Sequence, residues 1–105
     1  VSSEVSLGKV DELPDGEARR IEVEGRRLAV VRIGERVFAL DDRCSHANYA
    51  LSDGDVDADE LVIECPKHGS AFSLLDGEAL TLPATKPVRA YSVRVEEGEV
   101  RVVLS

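Results

Sequence analysis

Short apolar runs alternate with Gly and Asp-Gly punctuation along the whole chain. Residues 5–10 predict a first strand, and Leu13-Pro14-Asp15-Gly16 predicts a turn. Residues 18–23 and 27–33 flank Glu24-Gly25-Arg26, a hairpin signal. Gly34-Glu35 then turns the chain into a run over 36–40. These runs are rich in Val and Ile, whose branched side chains suit a pleated surface. Apolar and polar positions alternate at Ile21/Val23 and Val37/Ala39, as expected of a strand with one dry face. The alternation is lost at Leu28-Ala29-Val30-Val31, which predicts a strand covered on both faces.

The second half is more broken. Residues 48–60 are polar, with acidic side chains at 53, 55, 57, 59 and 60, and predict a solvated loop closing on itself. Residues 61–64 predict a short strand. Residues 71–75 and 78–82 are expected to pair around Asp76-Gly77. The prolines of 82–87 exclude a central strand, because proline cannot donate to a ladder. Residues 88–95 and 99–104 predict a last hairpin around Glu97-Gly98, with Val100, Val102 and Leu104 on one face. No stretch keeps helical periodicity with caps over several turns. The expected class is all-β, an antiparallel base with two loops inserted between Leu40 and Leu82.

Those two loops carry the chemistry. The chain has 2 Cys and 2 His, and all of them fall between Cys44 and His68. Cys44-Ser45-His46 is followed by 18 residues and then Cys65-Pro66-Lys67-His68. Cys-x-His and Cys-x-x-His are loop spacings, tight enough for each pair to reach one metal centre. Sulfur and imidazole suit zinc, copper and iron–sulfur clusters rather than calcium or magnesium. The residues alone leave the metal open. Two Cys and two His also make a zinc ligand set. A disulfide is the weaker alternative, since each cysteine has a histidine two or three residues on.

The pattern Cys-x-His…Cys-Pro-x-His-Gly resembles the Rieske family of [2Fe–2S] proteins. The similarity runs from about Val37 to Val95. It takes in Ser52-Asp53-Gly54, Gly69-Ser70-Ala71-Phe72, Asp76-Gly77-Glu78 and the proline-bearing loop 82–87. The resemblance implies a Rieske-like antiparallel sandwich or barrel, one domain over 1–105 with a cluster-binding subdomain near 41–82. It implies one [2Fe–2S] cluster, with Cys44 and Cys65 on one iron and His46 and His68 on the other. Two thiolates leave the oxidised core neutral, so an added electron costs less than with four thiolates. Pro66 is expected to stiffen the second loop, and Gly69 to let the backbone pass close to a sulfide. In high-potential members a serine at the position of Ser70 donates to a bridging sulfide, and a tyrosine two residues later bonds a cysteine sulfur. This chain has Phe72 at the tyrosine's place, with no hydroxyl to donate, which implies a potential toward the low end of the family range; it also lacks the extra cysteine pair that staples the loops of those members. A solvated turn hydroxyl is the plainer role for Ser70, and plain core packing is that for Phe72.

Net charge sharpens the functional expectation. The formal charge is −8, a poor field for nucleic acid or acidic membrane surfaces and a good one for a protein with basic patches. No run approaches the roughly 18 apolar residues of a membrane helix. Val1-Ser2-Ser3-Glu4 lacks the start of a secretory signal, so a cytoplasmic location is expected. There is no nucleophile–base pair, phosphate loop or mononuclear iron triad. The expectation is a non-enzymatic one-electron carrier between a flavin-dependent ferredoxin reductase and a terminal oxygenase. The alternatives are a cluster-bearing accessory protein, a small subunit of another redox complex and a zinc-stabilised interaction module.

Overall fold

Tight turns built from left-handed residues set the register of the main sheet. Glu24 and Gly25 both have positive φ, at 47° and 77°, and Glu97 and Gly98 repeat the arrangement at 52° and 77°. Two consecutive left-handed residues match the right-handed twist of the flanking strands. This computed structural model, which describes residues 4–43, 50–66, 70–81 and 86–104, contains nine strands among them. They are β1 (Glu4–Lys9), β2 (Ala18–Val23), β3 (Arg26–Ile33), β4 (Arg36–Asp41), β5 (Val56–Asp57), β6 (Val62–Glu64), β7 (Ala71–Ser73), β8 (Ala90–Glu96) and β9 (Glu99–Val103). Single 3-10 turns occupy Val10–Glu12 and Leu51–Asp53, and no α-helix occurs among the described residues. The class is all-β, as the sequence predicts.

Six strands form an antiparallel sheet in the order β1-β9-β8-β4-β3-β2. The other three form a small antiparallel sheet, β5-β6-β7. β3 divides the apolar interior. Leu28, Ala29, Val30 and Val31 are all buried, which bears out the expectation of a strand covered on both faces. Ala29 and Val31 join Leu40, Leu51, Ile63, Cys65, Phe72, Leu74 and Val88 in one core. Leu28 and Val30 join Val37, Ala39, Tyr91, Val100, Val102 and Leu104 in the other. The first core holds the small sheet to the large one; the second fills the far face of the base.

Three expectations need correction. The polar segment does not simply close on itself. Asp53, Asp55, Asp57, Asp59 and Glu60 are exposed as expected, but Leu51 is fully buried in the first core and Val56–Asp57 pairs with β6. A single apolar side chain overrides the polarity of its neighbours. The paired strands expected around Asp76-Gly77 shrink to one bridge, Phe72 to Ala79. The turn is held by Gly77 N–H donating to Ser73 O at 2.8 Å and Ser73 N–H to Glu78 O at 2.9 Å. At the amino end, Val10 leaves β1 for a 3-10 turn. The loop 82–85 lies outside the described residues.

Gly54 makes the joint between the two sheets' connections. Its backbone is extended, with φ −90° and ψ −177°, open to any residue. A Cβ there would lie 1.7 Å from Glu64 O, so only glycine lets the chain pass. Gly54→Ala should therefore destabilise the protein by about 3 kcal/mol, the upper end of overpacking costs. Gly25→Ala, where a Cβ meets nothing within 4 Å, should cost only the left-handed penalty of about 1–2 kcal/mol. Denaturant melts of the two variants would show the difference, and equal losses would contradict it.

Candidate metal centre

Both candidate ligand loops leave from strand ends, and backbone hydrogen bonds fix where they begin. The second loop is the tip of the β6–β7 hairpin. Glu64 pairs with Ala71, and Cys65 N–H donates to Ser70 O at 2.8 Å. The segment 65–70 is thereby closed at its neck. Cys65 is a free thiol, 2 % exposed, in the first core with Ile63 and Phe72. Pro66 follows it on the surface in a turn. Lys67, His68 and Gly69 lie outside the described residues, as do Cys44, His46 and Tyr49 of the first loop. Of the four expected ligands, the structure therefore describes Cys65.

Ser70 departs from its plainer role and Phe72 keeps to its own. Ser70 is 0 % exposed, so its hydroxyl is not a solvated turn group. Phe72 is fully buried and pairs with Ile63 across the small sheet, as the core expectation holds. Just beyond Ser70, Ala71 N–H donates to Thr81 Oγ1 at 2.8 Å and Leu80 N–H to Ala71 O at 2.8 Å. Thr81 thus ties the start of the proline-bearing loop to the end of the second ligand loop.

The first loop leaves β4 through two consecutive carboxylates. Strand alternation sends them to opposite faces. Asp41 shares the face of Ala39, which pairs with Tyr91, and Tyr91 Oη donates to Asp41 Oδ1 at 2.6 Å. Burial first, then the bond to Asp41, pushes the Tyr91 phenol above its ordinary pKa, against the opposing pull of Arg26 and Arg89. Asp42 shares the face of Leu40 and the first core, and its side chain is fully buried. Arg20 Nε lies 3.0 Å from Asp42 Oδ2. Ser52 N–H donates to Asp42 Oδ1 at 2.7 Å and Ser52 Oγ to Asp42 Oδ2 at 2.7 Å. These bonds join the two ends of 43–51 across its base.

The feet of the two loops also touch. Gly54 runs against Glu64 O, one residue before Cys65, and Glu64 N–H donates to Asp55 O at 2.8 Å. Leu51 and Cys65 share a core. The residues fit an iron–sulfur group: the described donor is a soft thiol shielded from water, held at a hairpin neck. Sequence reasoning missed Arg20, Asp42, Thr81 and Tyr91. Arg20 and Thr81 carry no local signal. Asp42 stands two residues before Cys44, and its neighbour Asp41 disguises it as part of a charged strand end.

The fold and the paired loops define a small β protein built to hold a soft-donor metal group. The Rieske [2Fe-2S] domain matches residues 3–92, and the chain belongs to that family; its cofactor is one Rieske-type [2Fe–2S] cluster. The chain is 41 % identical over 103 residues to the 3-phenylpropionate/cinnamic acid dioxygenase ferredoxin subunit of Photorhabdus laumondii, covering 98 % of this chain and 96 % of that one. It superposes on the ferredoxin of carbazole 1,9a-dioxygenase from Nocardioides aromaticivorans IC177 with TM-score 0.92 and 38 % identity, over 95 % and 96 % of the two chains. It is also similar to a chain in the complex of reduced oxygenase and oxidised ferredoxin in carbazole 1,9a-dioxygenase, with TM-score 0.86 and 37 % identity over 94 % and 91 %.

Thr81→Val keeps the shape of the side chain and removes the acceptor of Ala71 N–H. It should cost about 1 kcal/mol, the usual net worth of one hydrogen bond. Exchange of the Ala71 amide should quicken more than that of the Val100 amide, which sits in the far core. Equal protection of Ala71 in both proteins would remove Thr81 from this role.

Proposed function

We propose that this protein is the ferredoxin of a ring-hydroxylating dioxygenase system. It takes single electrons from a flavin-dependent ferredoxin reductase and passes them to a terminal oxygenase. The observation that carries the proposal is similarity over nearly the whole of both chains to the dioxygenase ferredoxin subunit of Photorhabdus laumondii. The likeness to the chain of the oxygenase–ferredoxin complex supports an oxygenase as the electron acceptor. An electron carrier needs no substrate pocket, only a held cofactor near the surface. Among the described residues no helix is long and apolar enough to cross a membrane. The location we assign is the cytoplasm.

The ligands we assign are Cys44 and Cys65 for one iron and His46 and His68 for the other. When bound, the cluster supplies a one-electron couple at a potential raised by its histidine ligands. The chain's own work is positional. Cys65 is held at the neck of its hairpin by the bond from its N–H to Ser70 O. Phe72, Ile63 and Leu51 keep water from the inner side of Cys65. The acidic tip formed by Asp57, Asp59 and Glu60 supports attraction to basic partner surfaces. In this reading 41–82 is a cluster-binding subdomain seated on the remaining strands of one domain.

The anaerobically purified protein should be red-brown, with two irons and two sulfides per chain, as the ligand set requires. Reduction should give a rhombic one-electron EPR signal. His46→Ala and His68→Ala should each abolish it. A colourless protein with one tightly held zinc would end the proposal in favour of the zinc-stabilised module.

Ser70 is assigned as a donor toward a cluster sulfur. Because it is fully buried, solvent cannot replace a bond lost in Ser70→Ala. A charge-assisted hydrogen bond of roughly 1.5–3 kcal/mol corresponds to about 60–130 mV for a one-electron couple. Voltammetry of Ser70→Ala should show a fall of that order with the cluster intact. An unchanged potential would return Ser70 to a structural role.

A further inference from the structure

We infer that Asp42 is the positioning residue of the first ligand loop. Acting with Ser52 and Arg20, it clasps the loop's two ends so that the cluster is retained in one geometry. The inference rests on the ligand assignment above, since Cys44 is two residues beyond Asp42.

The observations point the same way from several sides. The carboxylate is fully buried, and a buried charge without partners would be expelled or neutralised. Here each oxygen is engaged. Oδ1 accepts from Ser52 N–H, and Oδ2 accepts from Ser52 Oγ and faces Arg20 Nε. The backbone of Asp42 is held as well, its N–H donating to Arg27 O at 3.0 Å. Asp41, next to it, is fixed on the opposite face by Tyr91. The strand end can therefore neither slide nor rotate just ahead of Cys44.

The return end is equally determined. Ser52 lies in the 3-10 turn Leu51–Asp53, whose Leu51 is fully buried beside Cys65 and Ile63. Arg20 comes from β2, where it pairs with Ala29, and so extends over the face that carries the first core. Its second carboxylate contact, with Asp53 at 3.7 Å, lies on the same turn. One guanidinium thus spans both ends of the loop. These three residues do not ligate the metal; they act through the backbone that carries the ligands.

The test uses the holo-protein. Cluster loss to excess chelator is followed by visible absorbance, the reduced protein is examined by EPR, and melting is recorded by far-UV circular dichroism. Ser52→Ala and Asp42→Asn should each speed cluster loss by roughly tenfold, the effect of losing one hydrogen bond to a charged group. Their EPR g values should shift or broaden. Ser52→Thr, which keeps the hydroxyl, should restore wild-type behaviour, and Arg94→Gln, which breaks a distant exposed pair with Glu4, should leave it unchanged. Should Asp42→Asn fail to fold, Ser52→Ala decides. Wild-type rates and spectra in Ser52→Ala would overturn the inference. So would faster loss that merely tracks melting, judged against Val102→Ala in the far core. A Cys44→Ser variant that keeps the native spectrum would instead overturn the ligand assignment, leaving the two failures distinguishable.

Discussion

Everything in this molecule hangs on a strand that is dry on both sides. β3 presents Ala29 and Val31 to one core and Leu28 and Val30 to another. An antiparallel sheet of this size often wets one face. Here the first core is needed because the small sheet β5-β6-β7 has almost nothing of its own to bury. Ile63, Phe72 and Leu74 leave water in a core shared with Ala29 and Val31 of β3, Leu40 of β4, Leu51 and Val88. Removing that contact would cost the small sheet its apolar burial and leave the loops it carries without a foundation.

The second consequence concerns polar groups. A loop that must present ligands at a surface cannot be stabilised by apolar burial along its length. The chain stabilises its ends instead. The second loop is closed by a hairpin neck, the first by a buried carboxylate with three donors, and the third segment begins at a threonine that accepts from Ala71. All of these anchors lie at loop feet, where the backbone leaves a strand or a 3-10 turn. Such an arrangement anchors each loop at its base and suits a site whose job is to exchange electrons with other proteins. Bonds at the feet are also the economical place for it, because each one limits every residue between the ends.

Charge is distributed to match. Asp53, Asp55, Asp57, Asp59 and Glu60 stay exposed on the β5–β6 side, where their mutual repulsion is relieved by solvent. Asp57 does local work too, accepting from Asp59 and Glu60 N–H groups to shape the turn. The one aspartate of this region that is buried, Asp42, is the one with a full set of partners. Burial and pairing go together here as desolvation demands.

Local residue preference made the β class and the turn positions legible in the sequence. Glu24-Gly25 and Glu97-Gly98 announce hairpins because only a few residues tolerate positive φ in succession. Loss of alternation at Leu28-Ala29-Val30-Val31 announced the doubly covered strand, since side-chain period is a local property. The spacing of Cys44, His46, Cys65 and His68 carries the ligand assignment proposed above, of which the structure describes Cys65. Long-range proximity, by contrast, follows from how the segments pack. Leu51 sits in a polar stretch and is buried because Ile63 of β6 and Phe72 of β7 share its core. Ser70 reads as a turn hydroxyl and is fully buried. Gly54 looks like an ordinary turn glycine and is in fact required by the carbonyl of Glu64 passing beside it. Arg20, Asp42 and Ser52 are far apart in sequence and share one carboxylate only after β2, β4 and the turn at 51–53 have docked. Residue type and spacing govern what a segment prefers; which carboxylate is desolvated, and by whom it is then met, is fixed only when the segments pack.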